Sequence, residues 1–359
     1  MRTQSAFGVY ICYFYSFKPD INIKVSSEVY LLAIESSCDD TSAAVIHNGQ
    51  VLSNVVSVQK AHAEYGGVVP ELASREHQQH IVPVVSAALA QAGLEKNKLS
   101  GIAFTRGPGL LGSLIVGVTF AKSMALSLGI PLIEVHHMHA HVLAHFAETP
   151  HPTFPFLCLT VSGGHTQIVL VHDYLNMEIL GQTVDDAAGE AFDKAGKMLG
   201  LPYPGGPLVD KHAKEGKAIY PFTRSKVGGL DFSFSGLKTS ILYFLRDQMK
   251  EDDTFIKREL SNICASIQST IIDMLMHKLE LAAKQTDINR IAIAGGVSAN
   301  SGLRAALSER GKELDWETYI PAFEYCRDNA AMIGIAGYYK YLEGITCGQD
   351  VTAEARLGF

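Results

Sequence analysis

The rhythm of apolar and polar positions along the chain sets out its elements before any motif is considered. Leu31-Leu32-Ala33-Ile34 is an apolar run of strand length, and it ends in the polar turn Glu35-Ser36-Ser37-Cys38-Asp39-Asp40-Thr41. Ala43 to Ile46 predicts a second strand. Asn48-Gly49 then predicts a hairpin into a third, Val51 to Val58. A helical period over about Pro70–Ala92 is followed by a strand at Gly101–Thr105. The Gly-rich loop Arg106–Ser113 opens a helix to about Leu128, and a strand at 130–135 leads into a histidine-rich helix. The same order then recurs. Phe156–Val161 is a strand, and Ser162-Gly163-Gly164-His165-Thr166 stands where Ser36–Thr41 stood. Gln167–Val171 and Met177–Thr183 are strands, and helices are expected at about 186–200, 235–248 and 255–284. Arg290–Ala294 is a strand, Gly295–Asn300 opens a helix to about Arg310, Leu314–Ile320 is a strand, and Glu324–Tyr339 is the last helix.

Each half is therefore β-β-β-α-β-α-β-α. Hairpins followed by helical crossovers give a mixed sheet, so the expectation is an α/β protein of two similar lobes facing a cleft. The first lobe spans 29–150 and the second 151–345, with the last helix packing back toward the first. Residues 1–28 fit neither lobe. Phe7–Phe17 is rich in aromatics without a period, and a disordered extension or a start site placed too far upstream is expected there.

Composition narrows the class. The 359 residues are 47% hydrophobic, enough for two cores. A net charge of −7 argues against a protein that grips nucleic acid over its whole surface. Six scattered cysteines without a C-x-x-C pair suggest reduced thiols and a cytoplasmic protein. No apolar run is expected to reach the ~18–20 residues that span a membrane.

The densest chemistry is at His136, His137, His139, His141 and His145, five of fourteen histidines. Residues four apart share a helix face, which puts His137, His141 and His145 on one side. Two imidazoles one turn apart can hold a divalent metal such as zinc or iron, and a polar helix face is the plain alternative. Spacing alone does not choose between 137/141 and 141/145. The helix equivalent in order in the second half carries Asp328 near its start, a carboxylate that a pseudo-two-fold would bring to the same cleft. Three turns suit an anion: Ser162–Thr166, Gly295-Gly296 before a helix, and the rigid turn Tyr203-Pro204-Gly205-Gly206-Pro207. Asp39, Asp40, Asp185, Asp186, Asp193 and Asp210 lie in loops or at helix starts, where turn propensity or the helix dipole also explains them. Residues 193–226 carry seven basic and three acidic side chains, a solvated face or a phosphate-backbone contact.

Taken together, these stretches resemble the universal tRNA N(6)-adenosine threonylcarbamoyltransferase family, bacterial branch. The resemblance rests on Ala33–Thr41, Gly66–Arg75, Thr105–Leu110, His137-Met138-His139-Ala140-His141, Val161–Thr166, Asp185–Lys194, Tyr203–Pro207, Ser233–Lys238, Gly295–Asn300 and Asp328–Ile333, in order over about 30–345. It implies an actin-like ATPase-type fold. It also implies transfer of threonylcarbamoyl from threonylcarbamoyl-AMP to the N6 amine of adenosine 37 in tRNAs reading codons that begin with adenine. By the same resemblance His137, His141 and Asp328 hold the metal, Fe2+ or else Zn2+. Thr160, Val161, Ser162, Gly163, Gly164, Asp193, Gly206, Asp210 and Asn300 match adenylate-binding positions, and Asp39 matches an acidic residue at the reacting centre. Implied partners are tRNA, a separate threonylcarbamoyl-AMP synthase, a paralogous subunit and a small ATPase.

Three rivals remain. A metallopeptidase of the H-E-x-x-H type needs Glu after its first histidine, and Met138 stands there. A small-molecule kinase of the same fold would phosphorylate its acceptor. A non-catalytic paralogue should have lost metal ligands, and all three candidates are present.

Overall fold

The computed structural model describes residues 28–59, 62–224 and 227–359. The expected N-terminal extension thus lies, except for Glu28, outside the described residues. Strand β1 (Tyr30–Glu35) pairs antiparallel with β2 (Thr41–His47), and β2 with β3 (Gln50–Ser57). Helices α1 (His62–Tyr65) and α2 (Pro70–Gln91) lead to β4 (Gly101–Gly107), parallel to β1. Helix α3 (Leu111–Leu128) leads to β5 (Leu132–His136), parallel to β4, and α4 (His137–Leu143) follows directly. The sheet order is β3-β2-β1-β4-β5.

The second sheet repeats this plan as β10-β9-β6-β7-β8. Strands β6 (Phe156–Val161), β7 (Thr166–Val171) and β8 (Met177–Gln182) form an antiparallel meander. Helices α5 (Ala188–Met198), α6 (Gly205–Ala213), α7 (Ser235–Glu251) and α8 (Phe255–Thr286) precede β9 (Arg290–Ala294), parallel to β6. Helix α9 (Ser301–Leu314), β10 (Glu317–Tyr319), α10 (Phe323–Cys326) and α11 (Ala330–Leu342) complete the fold. Two mixed five-stranded sheets of one topology, flanked by helices, make up the expected actin-like architecture.

The sheets stack with helices between and outside them. Helices α2 and α3 cover the outer face of the first sheet, where Leu32, Ile34, Val45, Phe104 and Val118 cluster. The outer face of the second packs on α5 to α9 through Leu159, Phe192, Ile271 and Leu303. A third core lies between the sheets. There Leu31, Ala33 and Ile46 meet Ile333 and Met332 of α11, Val142 of α4, and Phe156 and Cys158 of the second sheet. Helix α11 sits close: a Cβ on Gly334 would fall 2.3 Å from Ile46 Cγ1.

Several expectations are corrected. Tyr203–Pro207 is not merely a turn: α6 begins at Gly205. Its entry is tight, because a Cβ on Gly196 would meet Gly205 Cα at 2.9 Å. The last helix is not continuous from 324. It breaks at Arg327-Asp328-Asn329, and Asn329 caps α11 by accepting from Met332 N–H at 3.0 Å. Helix α9 runs on to Leu314, leaving a strand of only three residues. Finally, the 18-residue α3 is long and apolar enough to cross a membrane by composition alone. Here its buried face packs against α2 and β4.

Candidate active site at the ends of the central strands

Strands β1, β4 and β5 run parallel, so their carboxyl ends lie along one edge of the first sheet, the region where open α/β sheets bind ligands. The first cluster there is built on α4. His137 follows β5 without a loop, because His136 caps the helix with its own ring: Nδ1 accepts from Met138 N–H at 3.2 Å. That starts the helix with His137 facing β1. His137 Nδ1 lies 3.0 Å from Glu35 Oε2 and 3.2 Å from Ser37 Oγ. Its Nε2 stands 3.5 Å from Asp328 Oδ1, and His141 Nε2 is 3.2 Å from the same oxygen. One candidate ligand atom from each of His137, His141 and Asp328 lies within 4.8 Å of the others.

This set fits a divalent metal. Two Nε2 atoms and one carboxylate oxygen converge, and His137 turns its other nitrogen to a buried carboxylate, the usual support for a metal-bound imidazole. His141 lacks that support, since its Nδ1 is buried without a partner. The electrostatics also call for a cation. Burial works against charge on His137, yet Glu35 and Asp328 raise it to about 9. Burial works against the charge on Asp328 as well, but His137 and His141 hold it well below the usual carboxylate range. A proton on His137 thus occupies the electrostatic place a metal would take. The helix does not continue as a uniform histidine face. A 3-10 turn follows Leu143, and His145 turns its Nε2 to Ile293 O at 3.0 Å. His136 and His139 instead pack edge-on against Phe359.

A second feature is a void of about 720 Å³, open to solvent, between α5, the start of α6 and the loop after β9. Of the nine expected adenylate positions, Gly163, Asp193, Gly206, Asp210 and Asn300 line it. Thr160 and Val161 are buried in β6, and Ser162 and Gly164 lie in the neighbouring turn without lining the void. The turn is fixed by Ser162 N–H to His165 O at 2.8 Å and by His165 N–H to Ser162 Oγ at 3.1 Å. Asp193 accepts from Gly206 N–H at 3.0 Å, and burial raises its carboxyl. Asp210 accepts from Ser301 Oγ at 2.7 Å. Asn300 is already occupied, capping Leu303 N–H at 3.0 Å and donating to Gln268 Oε1 at 2.7 Å. Sequence reasoning did not single out Phe192, Pro207 and Val297, which supply apolar walls. They fall in an expected helix, a turn and a loop respectively, where an apolar residue carries no separate signal.

The remaining acids separate by role. Asp39 is half-buried beside Cys38, whose thiol is pushed up by burial and then by Asp39. Asp40 is buried and pairs with Arg327 at 2.9 Å, joining the β1–β2 turn to the segment that carries Asp328. Burial raises Asp40 to about 7 despite that partner. Asp185 anchors the segment before α7 by accepting from Phe234 N–H at 2.7 Å, and Asp186 pairs with Lys194 at 2.7 Å. The basic stretch is thus partly neutralised, with Arg224 likewise tied to Asp273 at 2.6 Å. Glu35 went unassigned in the sequence, because an acid ending an apolar strand gives no periodic signal.

The fold and site define a two-lobed actin-like protein with a metal-capable triad and an open void lined by Asp193, Asp210 and Asn300. A family profile described as tRNA N6-adenosine threonylcarbamoyltransferase matches residues 50–335, and the chain belongs to that family. The similarly named protein of Christiangramia forsetii is 59% identical over 336 residues, covering 92% of this chain and 99% of its own. That of Porphyromonas gingivalis is 57% identical over 339 residues, covering 93% and 99%. Among solved structures, HypF of T. kodakarensis has a TM-score of 0.61 at 16% identity, covering 90% of this chain and 49% of that one. Component A of (R)-2-hydroxyglutaryl-CoA dehydratase from Acidaminococcus fermentans has a TM-score of 0.51 at 14% identity, covering 88% and 99%. These two share the fold.

Proposed function

We propose that this chain transfers a threonylcarbamoyl group from threonylcarbamoyl-AMP to the N6 amine of adenosine 37 in tRNAs that read codons beginning with adenine. The observation that carries this is a metal-capable triad from distant parts of the chain, His137, His141 and Asp328, set at the strand ends that also bear the Ser162–His165 turn of the adenylate void. The high identity to relatives named for this activity supports it.

In this reading the donor's adenine lies between Phe192, Pro207 and Val297, and Asp193 and Asp210 face its ribose hydroxyls. The backbone at Gly163 approaches its phosphate, where no side chain obstructs: a Cβ there would meet nothing within 4 Å. Fe2+, or else Zn2+, held by His137, His141 and Asp328 would supply Lewis acidity to a donor oxygen. The acceptor N6 is nearly non-basic, so orientation carries much of the rate, and the base must leave its stack to reach the cleft. N6 forms the new bond to the carbamoyl carbon, AMP leaves with the electron pair of the broken carbon–oxygen bond, and Asp39 takes the N6 proton. A synthase supplies the donor, a paralogous subunit and a small ATPase assist, and the protein works in the cytoplasm. Partners would add basic surface that a chain of net charge −7 lacks.

The test is purified protein with threonylcarbamoyl-AMP, unmodified tRNA and the partner proteins, followed by nucleoside mass spectrometry. Threonylcarbamoyladenosine should form with the wild type and fall at least tenfold with Asp328→Asn. No product from the wild type, with donor and tRNA shown intact, would overturn the proposal.

A further inference from the structure

Glu35 is the most completely enclosed charge in the molecule's centre, with 0% of its surface exposed. It ends β1, opposite Ser42 of β2. Its two oxygens are divided between two tasks. Oε1 accepts the Ser37 N–H, closing the turn that carries Cys38 and Asp39. Oε2 accepts the Thr105 hydroxyl at 2.6 Å from β4 and faces His137 Nδ1 at 3.0 Å. Both carboxyl oxygens already act as acceptors, from the Ser37 N–H and the Thr105 hydroxyl, so the hydrogen between Oε2 and Nδ1 belongs to the imidazole. That keeps a proton on Nδ1, so Nε2, which faces Asp328 Oδ1 at 3.5 Å, is the nitrogen a metal would take.

We propose that Glu35 is a positioning residue that sets the tautomer and ring angle of His137, and through them the hold of the triad on its metal. The inference rests on the metal centre proposed above. Glu35 touches no substrate: Ser37, Thr105 and His137 fill its acceptor sites. Ser37 Oγ, at 3.2 Å from Nδ1, cannot replace it, since a hydroxyl can donate as well as accept and would satisfy either tautomer. Thr105 in turn holds the carboxylate from the neighbouring strand, so β1, β4 and α4 meet at one hydrogen-bonded corner.

Glu35→Gln keeps the shape and can present an amide N–H to Nδ1, which favours the proton on Nε2, where the metal should bind. Zn2+ affinity of the full chain is measured by competition with a chromogenic chelator, alongside thermal melting of the metal-free proteins. Glu35→Gln should bind Zn2+ about 10- to 100-fold more weakly, while Ser37→Ala stays within about threefold of wild type. If the Glu35→Gln variant melts lower yet binds Zn2+ as wild type does, Glu35 only closes the turn and the inference is overturned. Nitrogen-15 NMR of Zn2+-loaded wild type gives an answer even if that variant does not fold. His137 should carry its proton on Nδ1 and its metal on Nε2, and the reverse assignment overturns the inference. Wild type that binds no Zn2+ would overturn the metal centre as well, whereas wild-type binding with an unaffected Glu35→Gln variant removes this inference alone.

Discussion

Gly189→Ala offers a quantitative test of how the second lobe holds its anion turn. Gly189 is in the first turn of α5, and its N–H donates to Ser162 O at 3.2 Å. A Cβ at this position would lie 2.5 Å from that oxygen, 2.8 Å from Ser162 C and 2.9 Å from Gly163 Cα. All three are backbone atoms, so no rotamer change relieves the clash. Ordinary contact begins near 3.4 Å, and the turn or the helix must therefore give by about 0.9 Å. Overpacking of this kind costs about 1–3 kcal/mol, a few degrees of melting temperature for a chain of this size. The functional loss should be larger than the loss of stability. A displacement on the order of 1 Å at a positioning loop can cost about 100-fold in rate, and Gly163 moves with it. AMP affinity by calorimetry and donor turnover at saturating tRNA are the readouts, with Gly163→Ala as the control for stability because open space surrounds its Cβ. If Gly189→Ala melts within a degree of wild type and binds AMP within twofold, the close approach is not a constraint and the reasoning fails.

Other outcomes follow from the same structure. His145 is buried and its pKa is lowered to about 4 by burial. Its folded value lies below the ordinary 6.5, so it contributes nothing above that pH and penalises the native state as pH falls toward 4, by about 2 kcal/mol at pH 5. Urea midpoints at pH 7 and pH 5 should differ less in His145→Gln than in wild type by that amount, and equal differences would refute it. Asn329→Ala removes the α11 cap and the 2.7 Å donation to Arg327 O on either side of Asp328. It should cost about 1–2 kcal/mol and weaken Zn2+ binding, and unchanged binding in a chelator competition would show that Asp328 needs no such frame. Asp328→Asn should fold and lose its equivalent of Zn2+ by elemental analysis.

Much of this was legible because the two sheets are written in short apolar runs with hairpin signals such as Asn48-Gly49, and because the runs recur in one order. The convergence of His137, His141 and Asp328 was legible in part. Helical spacing grouped the histidines, but nothing local told His141 from His145 as a partner. The structure separates them by a change from α to 3-10 winding after Leu143. What failed to show were features made by contacts distant in sequence. The start of α6 at Gly205 is hidden by Pro-Gly-Gly-Pro, whose residues favour turns yet suit a helix entry packed on Gly196. The break at 327–329 had a signal in Asn329, an N-cap residue type before an apolar run. Residues 346–359 carry no period at all, and they are placed by contacts with the first lobe, such as Glu354 N–H to Arg106 O at 2.9 Å.

Helix α11 has a further consequence, for the order in which the lobes can be finished during synthesis. The second sheet and its outer helices come from one continuous stretch, 156–319, with a core of their own. The first sheet is complete by residue 136, yet one of its faces stays bare until 330–342 arrives to lie on β1, β2 and β4. At a translation rate of about 5–20 residues per second, that face waits roughly 10–40 s after its own strands have left the ribosome. The lobe made first is therefore closed last, and a stalled chain ending near residue 325 should show protease-sensitive strands 30–136 beside a resistant 156–319. Asp328 is delivered just ahead of the same late segment, so a nascent chain cannot bring His137, His141 and Asp328 together until the inner face of its first sheet is being covered.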